Sequence, residues 1–359
     1  MSKDKLNIVL PPLNRRDFIK LACIMTPGLI PLLSGCKTTM ETPTQDLSTT
    51  DDEPEMFRLF TRLSWIKSAQ WANLFVALDK GFYADEGLDV TLFPGGSGID
   101  PIPLVSSGSD HIGVQSSGIH LINARSQGIP VKCFAAFYQK HPMGFMSLKE
   151  SNISDVSDFV GKKIGSQVDS IGTVKGVLEK HNIPVDDVEI VTVSFDPTPL
   201  LSGQVDVYVC WKTNQPYQVE QAGHEWNFIS MWDAGGKFYA VTPFTTEKML
   251  TEKPEVIAGF LKASLRGLQY VLDNPDEAVD ITLKLGESNL EKEHQRWLLS
   301  QANPLCSSED TEEIGLGWMR KEVWEEGRDS LLEMGTIEET FEVDDLLAME
   351  PLKEVHGIS

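Results

Sequence analysis

The sequence predicts an α/β fold with largely parallel sheets. Short apolar runs alternate with amphipathic stretches from about residue 57, and the pattern turns almost wholly helical after about residue 245. Phe57 to Trp65 reads as the first strand. Gln70 to Lys80 carries Trp71, Leu74, Phe75 and Leu78 at helical spacing, with Gly81 placed to cap the carboxyl end. Leu88 to Leu92 alternates apolar and polar positions as a half-buried strand does. Further strands are expected at Ile112 to Val114, Val131 to Phe137, Lys163 to Gly165, Glu189 to Val193 and Val205 to Cys210. In the helical remainder Ile257, Phe260, Leu261, Ser264, Leu265, Leu268 and Leu272 share one face. No repeat of fixed period runs through the chain.

The 359 residues, 41% hydrophobic and 23% charged, suffice for roughly two domains and are too mixed for a disordered or fibrous chain. Lys and Arg number 31 against 53 Asp and Glu, a formal charge of -22 that runs through most of the length. Such a field repels nucleic acid and anionic lipid, so nucleic acid is not an expected partner.

Residues 1–36 differ in composition from the rest. A basic start leads into an apolar run from Leu21 to Leu33, broken by Pro27, Gly28 and Pro31. That run falls short of the roughly 20 apolar residues a bilayer core requires. Asn14-Arg15-Arg16-Asp17-Phe18-Ile19-Lys20 resembles a twin-arginine export motif, and Leu33-Ser34-Gly35-Cys36 resembles a bacterial lipobox. The expectation is a signal peptide over 1–36 whose Cys36 is lipidated, giving an exported lipoprotein anchored on the periplasmic or cell-surface side. Residues 37–56, rich in Thr, Pro and acid, are expected to be a flexible tether. Loss of the leader would remove five basic and two acidic groups, leaving 26 against 51, or -25. Cys133, Cys210 and Cys306 then remain, an odd number without metal spacing, and buried thiols are the expectation.

The sequence holds no phosphate-cradling Gly-x-x-x-x-Gly-Lys-Ser/Thr and no Gly-x-Ser-x-Gly nucleophile elbow. Its seven histidines lack metal-ligand spacing and read as surface or satisfied interior residues. Nothing points to an enzyme, a metal or a cofactor.

Several blocks carry a family resemblance. Trp65 through Val90, with Gln70-Trp71-Ala72-Asn73-Leu74-Phe75 and Asp79-Lys80-Gly81-Phe82-Tyr83, resembles the first strand, ligand-facing turn and helix of ABC-transporter solute-binding proteins of the thiamine-pyrimidine-precursor, riboflavin and aliphatic-sulfonate type. Gly95-Gly96-Ser97-Gly98-Ile99-Asp100-Pro101, Asp110-His111-Ile112-Gly113-Val114, Ser157 to Gly165, Phe195 to Val207 and Thr213-Asn214-Gln215-Pro216 resemble later units of that family. The match spans about residues 60 to 285. It implies a type II periplasmic binding fold, with two lobes of sheet flanked by helices and a ligand cleft between them. Lobe one would comprise 57–143 plus 240–359 and lobe two 144–239, with Phe145 to Leu148 and Lys237 to Val241 as the crossing strands. It also implies a monomer that captures a small solute without catalysis and delivers it to an ABC permease.

Candidate ligand residues follow from strand ends, where loops at carboxyl termini converge on a cleft. Trp65 and Trp71 could offer flat faces to an aromatic ring or belong to the core, and Gln70 could pair with ring nitrogens and carbonyls. Gln115, Ser116 and Ser117 end a strand, where they either donate into the cleft or cap a helix. Tyr138 and Gln139 end another strand, Tyr239 lies on an expected crossing strand, and Trp211, Asn214 and Gln215 follow the Val205 to Cys210 strand of lobe two. Asp100 and Asp196 could fix a polar substituent or make local turn bonds beside proline.

The eukaryotic pyrimidine synthases that share the fold carry a donor histidine about where Trp71 stands and a cysteine-rich run about where Gly235 to Tyr239 stand. Both are absent here. An aromatic and amide cleft favours a planar heterocycle, such as a thiamine pyrimidine precursor or a riboflavin-like ring. A sulfonate or nitrate binder, a synthase-like enzyme, and a sensor lipoprotein without a permease are the competing readings.

Overall fold

The computed structural model describes residues 56–358. The expected leader, Cys36 and the tether as far as residue 55 lie outside the described residues. In chain order come β1 (Phe57–Leu63), α1 (Ala72–Asp79), α2 (Phe82–Asp85), β2 (Leu88–Phe93), α3 (Pro101–Ser106), β3 (Ile112–Ser117), α4 (Gly118–Ser126) and β4 (Val131–Cys133). Then follow β5 (Met143–Leu148), β6 (Lys163–Ser166), α5 (Ile171–Lys180), β7 (Glu189–Thr192), α6 (Thr198–Leu201), β8 (Val207–Trp211), α7 (Gln215–Gln221), β9 (Trp226–Ser230) and β10 (Ala240–Thr246). The remainder is helical: α8 (Glu247–Glu252), α9 (Pro254–Asp273), α10 (Pro275–Leu285), α11 (Lys292–Ala302), α12 (Glu309–Glu313), α13 (Lys321–Glu333) and α14 (Glu350–His356).

The strands form two five-stranded sheets, ordered β2-β1-β3-β10-β4 and β7-β6-β8-β5-β9. In each, four strands share one direction and one is reversed: β10 pairs antiparallel with β3 and β4, and β5 with β8 and β9. The reversed strand is the first one the chain lays down after it changes sheets, so it enters from the opposite end. The expected parallel pattern thus holds for the strands joined by helical crossovers.

Two expectations on the crossings need correction. Lys237 to Tyr239 are not strand residues, and Phe145 to Leu148 lie wholly within the second sheet. The chain crosses instead over 134–142 and 231–239, two segments tied by the Tyr138–Ala240 bridge and by the His141 N–H donating to the Phe238 carbonyl. Val241, the second residue of β10, holds φ 49, a region that costs a β-branched residue about 1–3 kcal/mol. Pairing of Ala240 and Thr242 with β3 on either side, and the Phe137 N–H on its own carbonyl, fix it there.

Packing follows the two periodicities. On β8, Val207 and Val209 join a core with α5 residues Val174, Val177 and Leu178, while Tyr208 and Cys210 turn to the opposite face with Leu200 and Val219. On α9 the expected face is buried except at Leu272, which is half-buried. Gly81 has φ 73 and ends α1 as expected. The strand expected over 131–137 stops at Cys133, and β9 was not expected, since its five residues are all half-buried and carry no alternation.

Cys133, Cys210 and Cys306 are free and buried. Burial pushes all three thiols up, Cys306 to about 12. Native protein should therefore react with a thiol reagent in mildly alkaline buffer at least ~100-fold more slowly than denatured protein at these three positions, as peptide mapping would show.

Candidate functional site

Loops leave the carboxyl ends of β1, β2, β6 and β7, and each carries a large apolar side chain out into solvent. Trp65 is 39% exposed after β1, Ile99 42% after β2, Val168 73% after β6 and Phe195 56% after β7. Two of them meet: the Trp65 and Phe195 rings, one from each sheet, lie 6.1 Å apart at 55°. Apolar side chains gathered in one exposed region, unlike single scattered ones, mark a surface that binds something.

Both aromatic loops are held from behind. Adding a Cβ to Gly95 would bring it within 2.2 Å of the Leu63 carbonyl oxygen, and this bare backbone lets the Gly95 N–H donate to the Trp65 carbonyl at 3.0 Å. The Ser116 N–H donates to Ser64 Oγ at 2.8 Å, the two Ser Oγ atoms are 2.7 Å apart, and Gln70 Nε2 donates to Ser116 Oγ at 3.0 Å. Whichever hydroxyl donates within that pair, the other keeps a hydrogen to give elsewhere. Across the cleft, Tyr208 Oη and Gln167 Nε2 donate to the Ser194 carbonyl at 2.6 and 3.2 Å, and Gln215 Nε2 to that of Phe195 at 3.4 Å.

Two histidines that the sequence offered only as surface or satisfied residues stand here. His120, in the first turn of α4, remains solvent-exposed, yet crowding by the surrounding walls lowers its pKa. Asp100 from the first-sheet side and Asp169 from the second-sheet side act in the opposite direction. His141 is buried on the first crossing, where Nδ1 accepts the Met143 N–H at 3.0 Å and Nε2 has no partner among the described residues. Its ring meets the edge of Trp211 at 4.9 Å, and burial pulls its pKa to about 3.

Of the residues expected to hold a ligand, Trp65, Gln70, Ser116, Trp211 and Asn214 keep accessible surface, and the Asn214 side chain makes no hydrogen bond among the described residues. Asp100 and Asp196 are exposed, but each takes a local backbone N–H, from Ile102 at 3.0 Å and Thr198 at 2.7 Å. The Thr198 bonds lower the pKa of Asp196.

The others are structural. Trp71 is 0% exposed, with its indole N–H on the Ile66 carbonyl, so no ligand reaches its face. Gln115 is buried and donates to Asp100, and Ser117 caps α4 through the Ile119 N–H. Tyr138 is buried behind Gln70, its hydroxyl reaching only that residue's carbonyl at 3.5 Å. Gln139 spends its amide on Ala136, Trp318 and Ser308. Gln215 accepts the Trp211 N–H besides holding Phe195, and Tyr239 accepts the Arg320 N–H at 2.9 Å. Tyr138, Gln139 and Tyr239 draw partners from distant segments, whereas Trp71 and Ser117 bond within five residues of themselves.

A groove of about 480 Å³ lies between α5 and α13, lined by Lys180, Gly235 and Met334 among others. Lys180 there is already committed to the Gly235 carbonyl and Glu326. No group of three His, Cys, Asp or Glu among the described residues is arranged to hold a metal.

A family model described as NMT1/THI5 like matches residues 68–278, more than half of the chain. The riboflavin-binding protein RibY of Chloroflexus aurantiacus is 26% identical over 322 residues, 84% of this chain and 89% of that protein. A formylaminopyrimidine-binding protein of Halalkalibacterium halodurans is 27% identical over 241 residues, 66% of this chain and 73% of its own length. A 4-amino-5-hydroxymethyl-2-methylpyrimidine phosphate synthase of Legionella pneumophila is 24% identical, covering 62% of this chain and 72% of that protein. Among solved structures, the periplasmic sulfonate-binding protein SsuA of Methylobacillus flagellatus superposes with a TM-score of 0.65 at 14% identity, over 84% of this chain and 94% of that one. That likeness establishes the periplasmic binding protein fold.

Proposed function

The chain belongs to the NMT1/THI5-like family, and from that premise we propose that it is an exported, lipid-anchored solute-binding protein that captures a planar heterocycle and passes it to an ABC permease. The cleft runs between lobe one, 57–143 plus 240–359, and lobe two, 144–239. The observation that carries the reading is the pair of exposed aromatic rings, Trp65 and Phe195, meeting from opposite sheets. A flat ring packing against them gains aromatic contact, worth about 0.5–1.5 kcal/mol per pair beyond area burial. Around it Gln70, Ser116 and Asn214 supply the donors and acceptors that read a heterocycle's edge. Trp211, with His141 behind it, forms the second-lobe wall. Binding proteins for riboflavin and for formylaminopyrimidine among the relatives support this ligand class, and the SsuA likeness supports a periplasmic setting.

Isothermal titration calorimetry against riboflavin, formylaminopyrimidine and hydroxymethylpyrimidine tests the reading. At least one should bind with a Kd of about 1 μM or tighter, or about 8 kcal/mol. Binding of an alkyl sulfonate with none of the three would replace the ligand class, and production of the pyrimidine phosphate would move the chain to the synthases.

A further inference from the structure

We propose that Tyr217 and His294 form a clasp that holds the two lobes together over the cleft, so that they set how long a solute stays without touching it. The proposal rests on the solute-binding reading above. α7 packs on β8 and β9 of the second sheet, whereas α11 packs on α10 and on the Ala69–Trp71 turn at the edge of the first. These two helices belong to different lobes, yet the Tyr217 and His294 rings are stacked 4.6 Å apart and only 10° from parallel. Trp297, one turn on along α11, reaches the same tyrosine at 5.6 Å. His294 Nε2 is buried and has no hydrogen-bond partner among the described residues, so this imidazole is held by stacking.

The clasp is rigidly joined to both cleft walls. Two residues before Tyr217, Gln215 takes the Trp211 N–H and holds the Phe195 carbonyl. Next to His294, Gln295 accepts the Ala69 N–H at 2.9 Å, beside Gln70. Separating the walls therefore requires separating the rings. Near α13 the lobes also meet through Met334 against Gly176 and through partly exposed ion pairs from Lys180 and Lys237 to Glu326, which solvent screens.

The test reads lobe separation and solute release in parallel. In a Cys36→Ser chain, spin labels at D186C on the second lobe and E255C on α9 report the interlobe distance without any ligand. Tyr217→Ala should spread that distance toward longer values, and Tyr217→Phe, which keeps the ring, should not. With riboflavin as the probe, stopped-flow release should be about two- to tenfold faster in Tyr217→Ala than in wild type or Tyr217→Phe, the factor a stacked pair is worth. His294→Ala should reproduce the alanine result, and stands in if Tyr217→Ala does not fold. Unchanged distances in both alanine variants, or a phenylalanine variant that behaves as alanine, would overturn the clasp. If wild type binds none of riboflavin, formylaminopyrimidine and hydroxymethylpyrimidine, the ligand reading fails, while the distances still decide the clasp; if it binds one of the other two, that one replaces riboflavin as the release probe.

Discussion

Trp65→Ala should weaken capture of the bound heterocycle by about 10- to 100-fold, or ~1.4–2.8 kcal/mol, with little change in folding stability. Trp71→Ala should do the reverse. The two tryptophans stand six residues apart around the same turn, and the difference between them is burial. Trp65 holds its face in solvent opposite Phe195, so truncation removes ligand contact and leaves the core intact. Trp71 is enclosed, touches the hydrophobic core and satisfies its indole N–H on Ile66. Deleting it opens a large cavity and should cost about 3–5 kcal/mol. Calorimetry of both variants, beside urea denaturation, separates the effects. A Trp65→Ala protein with wild-type affinity would remove that ring from the site. A fully stable Trp71→Ala protein that had lost affinity would show the core assignment to be mistaken.

That contrast marks how far local pattern reaches. Strand and helix order was legible because burial imposes periods of 2 and 3.6 on the sequence, and β1, β2 and α9 follow those periods. Which side of a short turn a tryptophan faces was not legible, since one residue of rotation in the Ala69–Trp71 turn exchanges cleft for core. The polar residues at strand ends were over-assigned for a related reason. Gln139 and Tyr239 look free in sequence, but their partners, Trp318 and Arg320, arrive from about 80 to 180 residues away. Phe195 was missed in the opposite sense: an apolar residue beside a strand reads as core, and only the tethers from Gln167, Tyr208 and Gln215 turn its loop outward. His120 gave no signal in sequence because its two carboxylate neighbours, Asp100 and Asp169, come from opposite sides of the cleft.

His141 should make the fold acid-sensitive at a pH well above the range where carboxylates titrate. Its Nδ1 accepts the Met143 N–H, which places the single proton of the neutral ring on the buried, unpartnered Nε2. A second proton would have to displace that backbone bond and put a charge against the Trp211 edge, so burial depresses the pKa from 6.5 to about 3. The sign follows from linkage. The unfolded histidine takes up a proton near pH 6.5 and the folded one does not, so this contribution to stability is complete above that pH. It falls by about 1.4 kcal/mol per unit below, until the folded pKa is reached. Near pH 4.5 the loss from this group alone should be about 3 kcal/mol. His111, His120 and His294 are depressed in the same direction, so a single pH series cannot isolate the ring. His141→Asn can, because its side-chain oxygen can still accept the Met143 N–H and nothing there titrates. Urea denaturation at pH 7 and near pH 4.5 should show a smaller acid loss in the variant than in wild type, by about 2–3 kcal/mol. Equal losses would mean that water or a shift of Trp211 already accommodates the imidazolium, leaving the second-lobe wall free to move. A smaller loss in the variant would instead bind wall and crossing into one unit, with the histidine neutral wherever Trp211 is in place.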